Sequence, residues 1–180
     1  ASGSNSWYVL KNFGTMTIKD GVTVKFSDSN SGLYSSLIGN GWQNSSAAEN
    51  GSNGEPQPSA GGNQAKLTIN GGHFYGTSEG TSCIFVYTSM SSGSKAAVTI
   101  NGGKFETATP SNGTYYVLNH QDNATAGCTI TVNGGSFKNY NPGVTTVDPV
   151  NAKTGKITLG AGCTTTSTVD GSDTWYTVSK

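Results

Sequence analysis

The chain has 180 residues, of which 26 are glycine, and its formal net charge at pH 7 is zero. Only 11% of the residues are charged, arginine is absent, and the ten lysines are scattered. Nucleic acids and anionic membranes bind clustered basic residues, so we expect neither as a partner. No apolar run is long enough to predict a transmembrane helix.

Two strand-like segments and a long polar segment make up the first part of the chain. Residues 8–12 and 34–40 are predicted to be strands. Residues 40–64 are rich in Gly, Ser and Asn and contain Glu-Pro-Gln-Pro, which predicts an inserted loop. Insertions of this kind commonly carry recognition.

An octapeptide then occurs three times. It reads Leu-Thr-Ile-Asn-Gly-Gly-His-Phe at 67–74, Val-Thr-Ile-Asn-Gly-Gly-Lys-Phe at 98–105, and Ile-Thr-Val-Asn-Gly-Gly-Ser-Phe at 130–137. Self-similarity at a period of roughly thirty residues is the signature of a repeat architecture. Each unit needs neighbours, because it cannot bury its apolar side alone.

Weaker copies of the octapeptide lie towards both ends, at 16–23 and 157–164. Terminal repeats are expected to be atypical because each has only one neighbour, so we count five repeats. A second strand recurs between the copies, at 83–88 and 115–120 as well as in the N-terminal part. Each repeat therefore has at least two strands.

Alternation within the octapeptide assigns its residues to two faces. The aliphatic residues face a core, and the two glycines supply positive φ at a sharp bend, after which Phe74, Phe105 and Phe137 point back inside. The polar residues face outwards and form two columns. These are Thr17, Thr68, Thr99, Thr131 and Thr158, and two positions further on Asn70, Asn101 and Asn133.

These patterns predict an all-β fold, a right-handed single-stranded parallel β-helix of about five coils whose strands lie about 4.8 Å apart. An antiparallel meander would need hairpin turns about every 8–12 residues, and these repeats are too far apart for that. We expect a single domain over residues 1–180. Its parts are an N-terminal coil at 6–39, the inserted loop at 40–64, core repeats at 65–141, and the last coil with a short C-terminal capping strand at 142–180.

The three cysteines are an odd number, with spacings unlike a zinc motif. Cys83 lies in an apolar strand and is expected to be a small buried hydrophobe. Cys163 falls at the outward position after the corner, where an accessible thiol is the expectation, and a Cys128–Cys163 bridge stays open. We expect no metal site and no cofactor.

Catalytic constellations are not apparent in the sequence. A hydrolase needs converging carboxylates, and a lyase needs acidic calcium ligands plus a base, yet the ten acidic residues share no aligned position in the strong repeats. His73 and His120 lie at different phases of the repeat. The sequence therefore predicts a non-enzymatic protein.

Ligand-binding candidates are the aromatic residues and the varying position of the octapeptide. Trp42 in the inserted loop could stack on a sugar ring or a partner, or pack the root of the loop. Tyr75 is a second candidate, with the alternative that it is an ordinary strand residue, and His73 occupies the varying position. Further tyrosines that could extend such a platform are Tyr87, Tyr115 and Tyr140.

The Thr-Ile-Asn-Gly-Gly-x-Phe unit, followed by Ser-Cys-Ile-Phe-Val at 82–86, resembles the pectate-lyase-like β-helix repeats of gut bacterial surface proteins and of bacteriophage structural proteins. Residues 134–142 and 162–178 look like the closing module of such proteins. The resemblance covers residues 6–180 and implies fold more strongly than activity.

A structural or attachment module is what the resemblance implies, first a virion head fibre or capsid decoration protein. The alternatives are a bacterial surface adhesin or a carbohydrate-binding β-helix, and lastly a polysaccharide lyase or hydrolase. One end would dock to a capsid or cell-surface base, and the loop at 40–64 would contact host glycans or mucus. Because phage fibres are often trimeric and adhesin rods often monomeric, a homotrimer stays open.

Overall fold

A computed structural model describes residues 8–26, 36–41, 64–76, 82–86, 95–107, 117–120, 128–144 and 157–180. Within those ranges no helix has the length and apolar character needed to cross a bilayer. The described residues form fifteen strands. They are β1 Tyr8–Asn12, β2 Thr15–Ile18, β3 Thr23–Phe26, β4 Ser36–Asn40, β5 Gln64–Ile69, β6 His73–Gly76, β7 Ser82–Val86, β8 Lys95–Ile100, β9 Lys104–Thr107, β10 Leu118–His120, β11 Thr129–Val132, β12 Gly135–Lys138, β13 Ile157–Leu159, β14 Thr164–Asp170 and β15 Asp173–Ser179.

The strands form three sheets, and successive repeats contribute successive strands to the same sheet. The first sheet has the order β1-β4-β7-β10, the second β13-β11-β8-β5-β2, and the third β14-β15-β12-β9-β6-β3. Every pair is parallel except β12 with β15 and β15 with β14. The all-β class and the parallel pairing of the repeats are thus confirmed. The residues after the corner form a strand of their own, which gives each of the first four repeats a third strand.

The octapeptides pair in register. Met16 lies opposite Leu67, and Ile157 lies opposite Ile130, so the two weaker copies align with the strong ones. The predicted threonine column is confirmed, because its five members are partners in successive strands of the second sheet.

The predicted phenylalanine stack is also confirmed. The ring centroids of Phe74 and Phe105 are 4.7 Å apart with planes inclined by 5°, and those of Phe105 and Phe137 are 4.9 Å apart and inclined by 7°. All three side chains are fully buried and belong to one apolar cluster that draws on all three sheets. Burying each ring contributes roughly 1.5–3 kcal/mol.

The two glycines of each corner have different functions, which corrects the expectation that both supply positive φ. Only the second glycine lies in the left-handed region, as in Gly103 with φ of 115°. The first is required by space, because a Cβ on Gly102 would lie 2.8 Å from the Asn70 carbonyl oxygen. A Cβ on Gly134 would likewise clash with the Asn101 carbonyl oxygen.

Asparagine side chains link successive repeats on the outside of the corner. Asn101 Nδ2 donates to Asn70 Oδ1 at 2.9 Å, and Asn133 Nδ2 donates to Asn101 Oδ1 at 2.9 Å. The predicted asparagine column is therefore confirmed, and its amides form a directional chain along the stacking axis.

A second, buried asparagine pair connects the first sheet to the second. Asn12 Nδ2 donates to Asn40 Oδ1 at 2.7 Å, and Asn40 Nδ2 donates to the Ala97 carbonyl oxygen at 3.1 Å. Buried amides need such partners, since an unsatisfied one costs about 1–3 kcal/mol.

The C-terminal cap is a hairpin and not the predicted short strand. Strands β14 and β15 have seven residues each, and β15 pairs antiparallel with β12. Asn139 has a left-handed φ of 51° and holds the hairpin, since its Oδ1 accepts from the Thr174 N–H at 2.7 Å and its Nδ2 donates to Asp173 Oδ1 at 2.8 Å.

Cys83, Cys128 and Cys163 form no disulfide bond. Cys83 is fully buried, as predicted, and burial raises the pKa of its thiol. Cys128 is buried too and is not bridged to Cys163. Cys163 is half-buried, and its Sγ lies 3.5 Å from the Asn133 carbonyl oxygen, so the thiol is less accessible than an outward position predicts.

Residues 42–63 of the predicted loop lie outside the described residues. Asn40 ends β4 and Gln64 begins β5, so both predicted loop boundaries fall in strands. The division of the chain into coils stays a prediction.

Candidate functional site

The outer face of the third sheet carries charged and aromatic side chains that contact one another. Its strands alternate, so the residues that flank the buried phenylalanines face away from the core. We call this surface the third-sheet strip. It consists of Lys25, His73, Tyr75, Lys104, Glu106, Lys138 and Trp175.

Register places the strip residues in two columns that run across the strands. In the first column His73 lies opposite Lys104, and Lys104 lies opposite Ser136. In the second, Lys25 pairs with Tyr75 and Tyr75 with Glu106. That column ends in the cap, where Lys138 pairs with Trp175.

Glu106 is the polar centre of the strip. His73 Nε2 lies 2.5 Å from Glu106 Oε1, and Lys104 Nζ lies 3.6 Å from the same oxygen. The Glu106 side chain is only 13% exposed, whereas that of Lys104 is 52% exposed. Pairs with such an exposed partner contribute about 0–1 kcal/mol, so this cluster orients side chains more than it stabilises the fold.

Two lysines of the strip lie over aromatic rings. Lys25 Nζ is 5.7 Å from the centroid of the Tyr75 ring, and Lys104 Nζ is 4.5 Å from the centroid of the Trp175 ring. The rings of His73 and Tyr75 are 5.9 Å apart. Tyr75 and Trp175 are separated by three strand spacings, which is roughly 14 Å along the sheet.

The cap end of the strip contains a second ion pair. Lys138 Nζ lies 2.9 Å from Asp173 Oδ2. The hydrogen bond from Lys138, followed by that from Asn139, holds the pKa of Asp173 below its usual value.

Only some of the predicted ligand-binding residues lie on the strip. Tyr75 and His73 lie together on the strip, half-buried and on the same face of β6. Trp42, Tyr87 and Tyr115 lie outside the described residues. Tyr140 is buried, and its hydroxyl donates to the Leu118 carbonyl oxygen at 3.4 Å, so it cannot extend an exposed platform.

Sequence reasoning did not single out Lys104, Glu106 or Trp175 as binding residues. The repeat already contained the signal for two of them, because Lys104 aligns with His73, and Glu106 with Tyr75. Trp175 carried no such signal, since it reaches the strip through the antiparallel hairpin, outside the repeat register.

The second histidine of the chain lies in β10 of the first sheet. His120 is buried with its Nε2 2.9 Å from the Cys128 carbonyl oxygen. In the described ranges no group of three or more His, Cys, Asp or Glu side chains could hold a metal ion.

No family model, curated protein or solved structure matches this chain. The chemistry of the strip residues is therefore what bears on its function.

Proposed function

We propose that the chain is a right-handed single-stranded parallel β-helix of about five coils and that it serves as a non-enzymatic attachment module on a surface. The observation that carries this proposal is the common register of the repeats in all three sheets. The first four repeats each contribute one strand to each of the three sheets, which is the arrangement that a β-helix requires. Five coils at a spacing of about 4.8 Å place the first and last coils roughly 19 Å apart.

Rigidity is the property that suits such a module for presentation. The stacked phenylalanines fill the core, and the asparagine chain links the corners outside it. Because each repeat contacts only its neighbours, the position of one repeat fixes the position of the next along the stack. Side chains on the sheet faces are therefore held at fixed spacings, as recognition of an extended ligand needs.

The setting we propose is a virion surface, where the chain would be a head fibre or a capsid decoration protein. The resemblance of its octapeptide and closing segment to bacteriophage structural proteins supports this setting. A bacterial surface adhesin or carbohydrate-binding β-helix is the alternative, because similar repeats occur there. In either setting, one end docks to a capsid or cell-surface base and the exposed surface contacts host glycans or mucus.

A polysaccharide-degrading enzyme is the competing class. Glycoside hydrolases use two carboxylates that flank the scissile bond. Glu106 instead has Tyr75 as its partner in the neighbouring strand, and its oxygen is engaged by His73 and Lys104. This surrounding supports binding more than acid–base chemistry.

Mass spectrometry of purified virions tests the proposed setting. We expect the chain in stoichiometric amounts in intact particles, and its presence in bacterial cell-surface fractions alone would favour the adhesin. Release of reducing ends or unsaturated products from pectin or mucin glycans would overturn the non-enzymatic proposal. A crystal structure would test handedness and coil number, and sedimentation equilibrium would separate a monomer from a homotrimer.

A further inference from the structure

We propose that the third-sheet strip binds an anionic sugar, a pyranose that carries a carboxylate or sulfate group. Tyr75 and Trp175 would pack against sugar rings, and Lys25 and Lys104 would receive the negative group. This inference rests on the proposed attachment function, because it specifies the ligand that such a module would contact.

The two aromatic residues supply the apolar part of the site. Tyr75 and Trp175 are half-buried, so part of each side chain remains open to solvent. Rings of this kind have an apolar body and a polar edge, which suits ligands that present both kinds of surface. A separation of roughly 14 Å across the sheet is longer than one sugar ring, so the site fits a short oligosaccharide.

Charge decides which class of sugar the strip favours. Within the strip, three lysines, Lys25, Lys104 and Lys138, stand against one carboxylate, Glu106. Asp173 and its cross-strand partner Asp170 lie at the adjoining turn of the hairpin. The strip itself therefore carries an excess of positive charge on a chain whose net charge is zero. A neutral sugar would gain nothing from this excess, whereas an anionic sugar would.

The position of the ammonium groups supports the same conclusion. Each strip aromatic has a lysine Nζ within 6 Å of its centroid, which is the range of a cation–π contact. Lys104 is also tethered near Glu106, which limits the conformations of its long side chain. An ammonium group over one face of a ring places a cation next to an apolar surface, which matches the acidic substituent and the apolar face of one sugar residue.

Hydroxyl groups in the adjoining column complete the polar part of the site. Ser136 Oγ and Thr177 Oγ1 lie 3.1 Å apart on the same face, next to Lys104 in register. Hydroxyls act as both donors and acceptors, so they can donate hydrogen bonds to sugar hydroxyls or accept hydrogen bonds from them. All these groups lie on paired strands, which hold binding residues more firmly than loops do.

Isothermal titration calorimetry of the full chain tests the proposal with three probes, sialyllactose, sulfated lactose and lactose. We expect the chain to bind at least one of the two anionic sugars, and to bind lactose at least tenfold more weakly. The two anionic probes distinguish a carboxylate ligand from a sulfate ligand. Affinity should fall as salt is raised, because exposed charges are screened.

Variants locate the binding on the strip. Lys25→Gln with Lys104→Gln should weaken binding of the anionic sugar about tenfold or more, the usual effect of losing a charged hydrogen bond. Tyr75→Ala should weaken both anionic and neutral sugars. The matched control is Lys66→Gln, which removes an exposed lysine from the second sheet and should leave affinity unchanged.

Three outcomes overturn the proposal: no binding of either anionic sugar, equal affinity for lactose, or equal effects of the strip and control lysine variants. Circular dichroism and thermal melting of each variant show whether it is folded. The result of virion mass spectrometry does not depend on the result of this titration. A chain absent from particles that still binds sialyllactose would refute the setting and leave the site intact.

Discussion

Alanine substitutions at the corner glycines separate steric crowding from backbone strain. Gly102→Ala would place a Cβ 2.8 Å from the Asn70 carbonyl oxygen, and the φ of Gly102 lies outside the left-handed region. Its cost is therefore steric, and overpacking of this kind costs about 1–3 kcal/mol. The upper part of that range is expected because the contact is with backbone, which cannot rotate away.

Gly103→Ala adds strain to crowding. Its φ is 115°, and a Cβ would lie 3.2 Å from both the Gly72 carbonyl oxygen and the Phe105 ring. A non-glycine residue in such a region costs about 1–3 kcal/mol, and the crowding adds to this. We therefore expect Gly103→Ala to lower the free energy of unfolding by about 3 kcal/mol or more.

Two control positions isolate the separate effects. Gly162 has a φ of 75°, but an added Cβ would have no atom within 4 Å, so Gly162→Ala should cost about 1–2 kcal/mol from strain alone. Gly14 has no left-handed φ and an added Cβ would have no atom within 4 Å, so Gly14→Ala should be neutral or stabilise by up to about 1 kcal/mol.

Urea unfolding of the four variants, with linear extrapolation to water, measures these differences. The expected order of stability is Gly14→Ala, Gly162→Ala, Gly102→Ala and then Gly103→Ala. A Gly102→Ala variant within about 0.5 kcal/mol of Gly14→Ala would refute the close approach of successive repeats at the corner, since that is the usual effect of a surface substitution.

Four further outcomes are expected. Phe105→Ala removes the middle ring of the stack and should lower the free energy of unfolding in urea by about 3–5 kcal/mol, so a loss below about 1 kcal/mol would contradict the stacked core. Asn139→Ala should speed hydrogen exchange in β14 and β15 more than Asn139→Gly does, because glycine still tolerates the left-handed φ. Equal exchange rates in the two variants would argue against backbone strain at residue 139. Because the pKa of Asp173 is lowered, its pairing stabilises the cap above the usual carboxyl pKa of about 4, and this stabilisation is lost as the pH falls below that value. Asp173→Asn should therefore reduce the loss of folding stability on acidification. An unchanged loss of stability at acid pH would refute this. Ellman's reagent should modify Cys163 before Cys83 in the folded chain, because burial raises the pKa of the Cys83 thiol, and faster reaction of Cys83 would contradict its burial.

The repeat made the core of this fold predictable from the sequence. Alternation placed the apolar residues, and the recurring phenylalanine required a stack, because in-register strands superimpose identical side chains. The weaker copy beginning at Met16 was recognised for the same reason.

Features that depend on contacts between repeats were harder to predict from the sequence. Two adjacent glycines look alike in a sequence, and only the position of the Asn70 carbonyl oxygen shows that Gly102 is needed for space. The candidate site was half predicted, since Tyr75 and His73 were identified but Trp175 was not. Trp175 reaches the strip by reversal of the chain direction, which no repeat period encodes.

That reversal of chain direction makes the two ends of the third sheet different. At one end of the third sheet the antiparallel hairpin replaces the next parallel strand, so the repeat pattern cannot be continued there. At the other end, β3 pairs with β6 on one side and, within the described residues, offers its second edge to no further strand. In the third sheet, additional repeats should therefore be tolerated between β3 and β12, where each new strand has a parallel neighbour, and should not be tolerated beyond β12, where the antiparallel β15 takes the next position. The hairpin thus sets the polarity with which the protein could be lengthened as a modular scaffold.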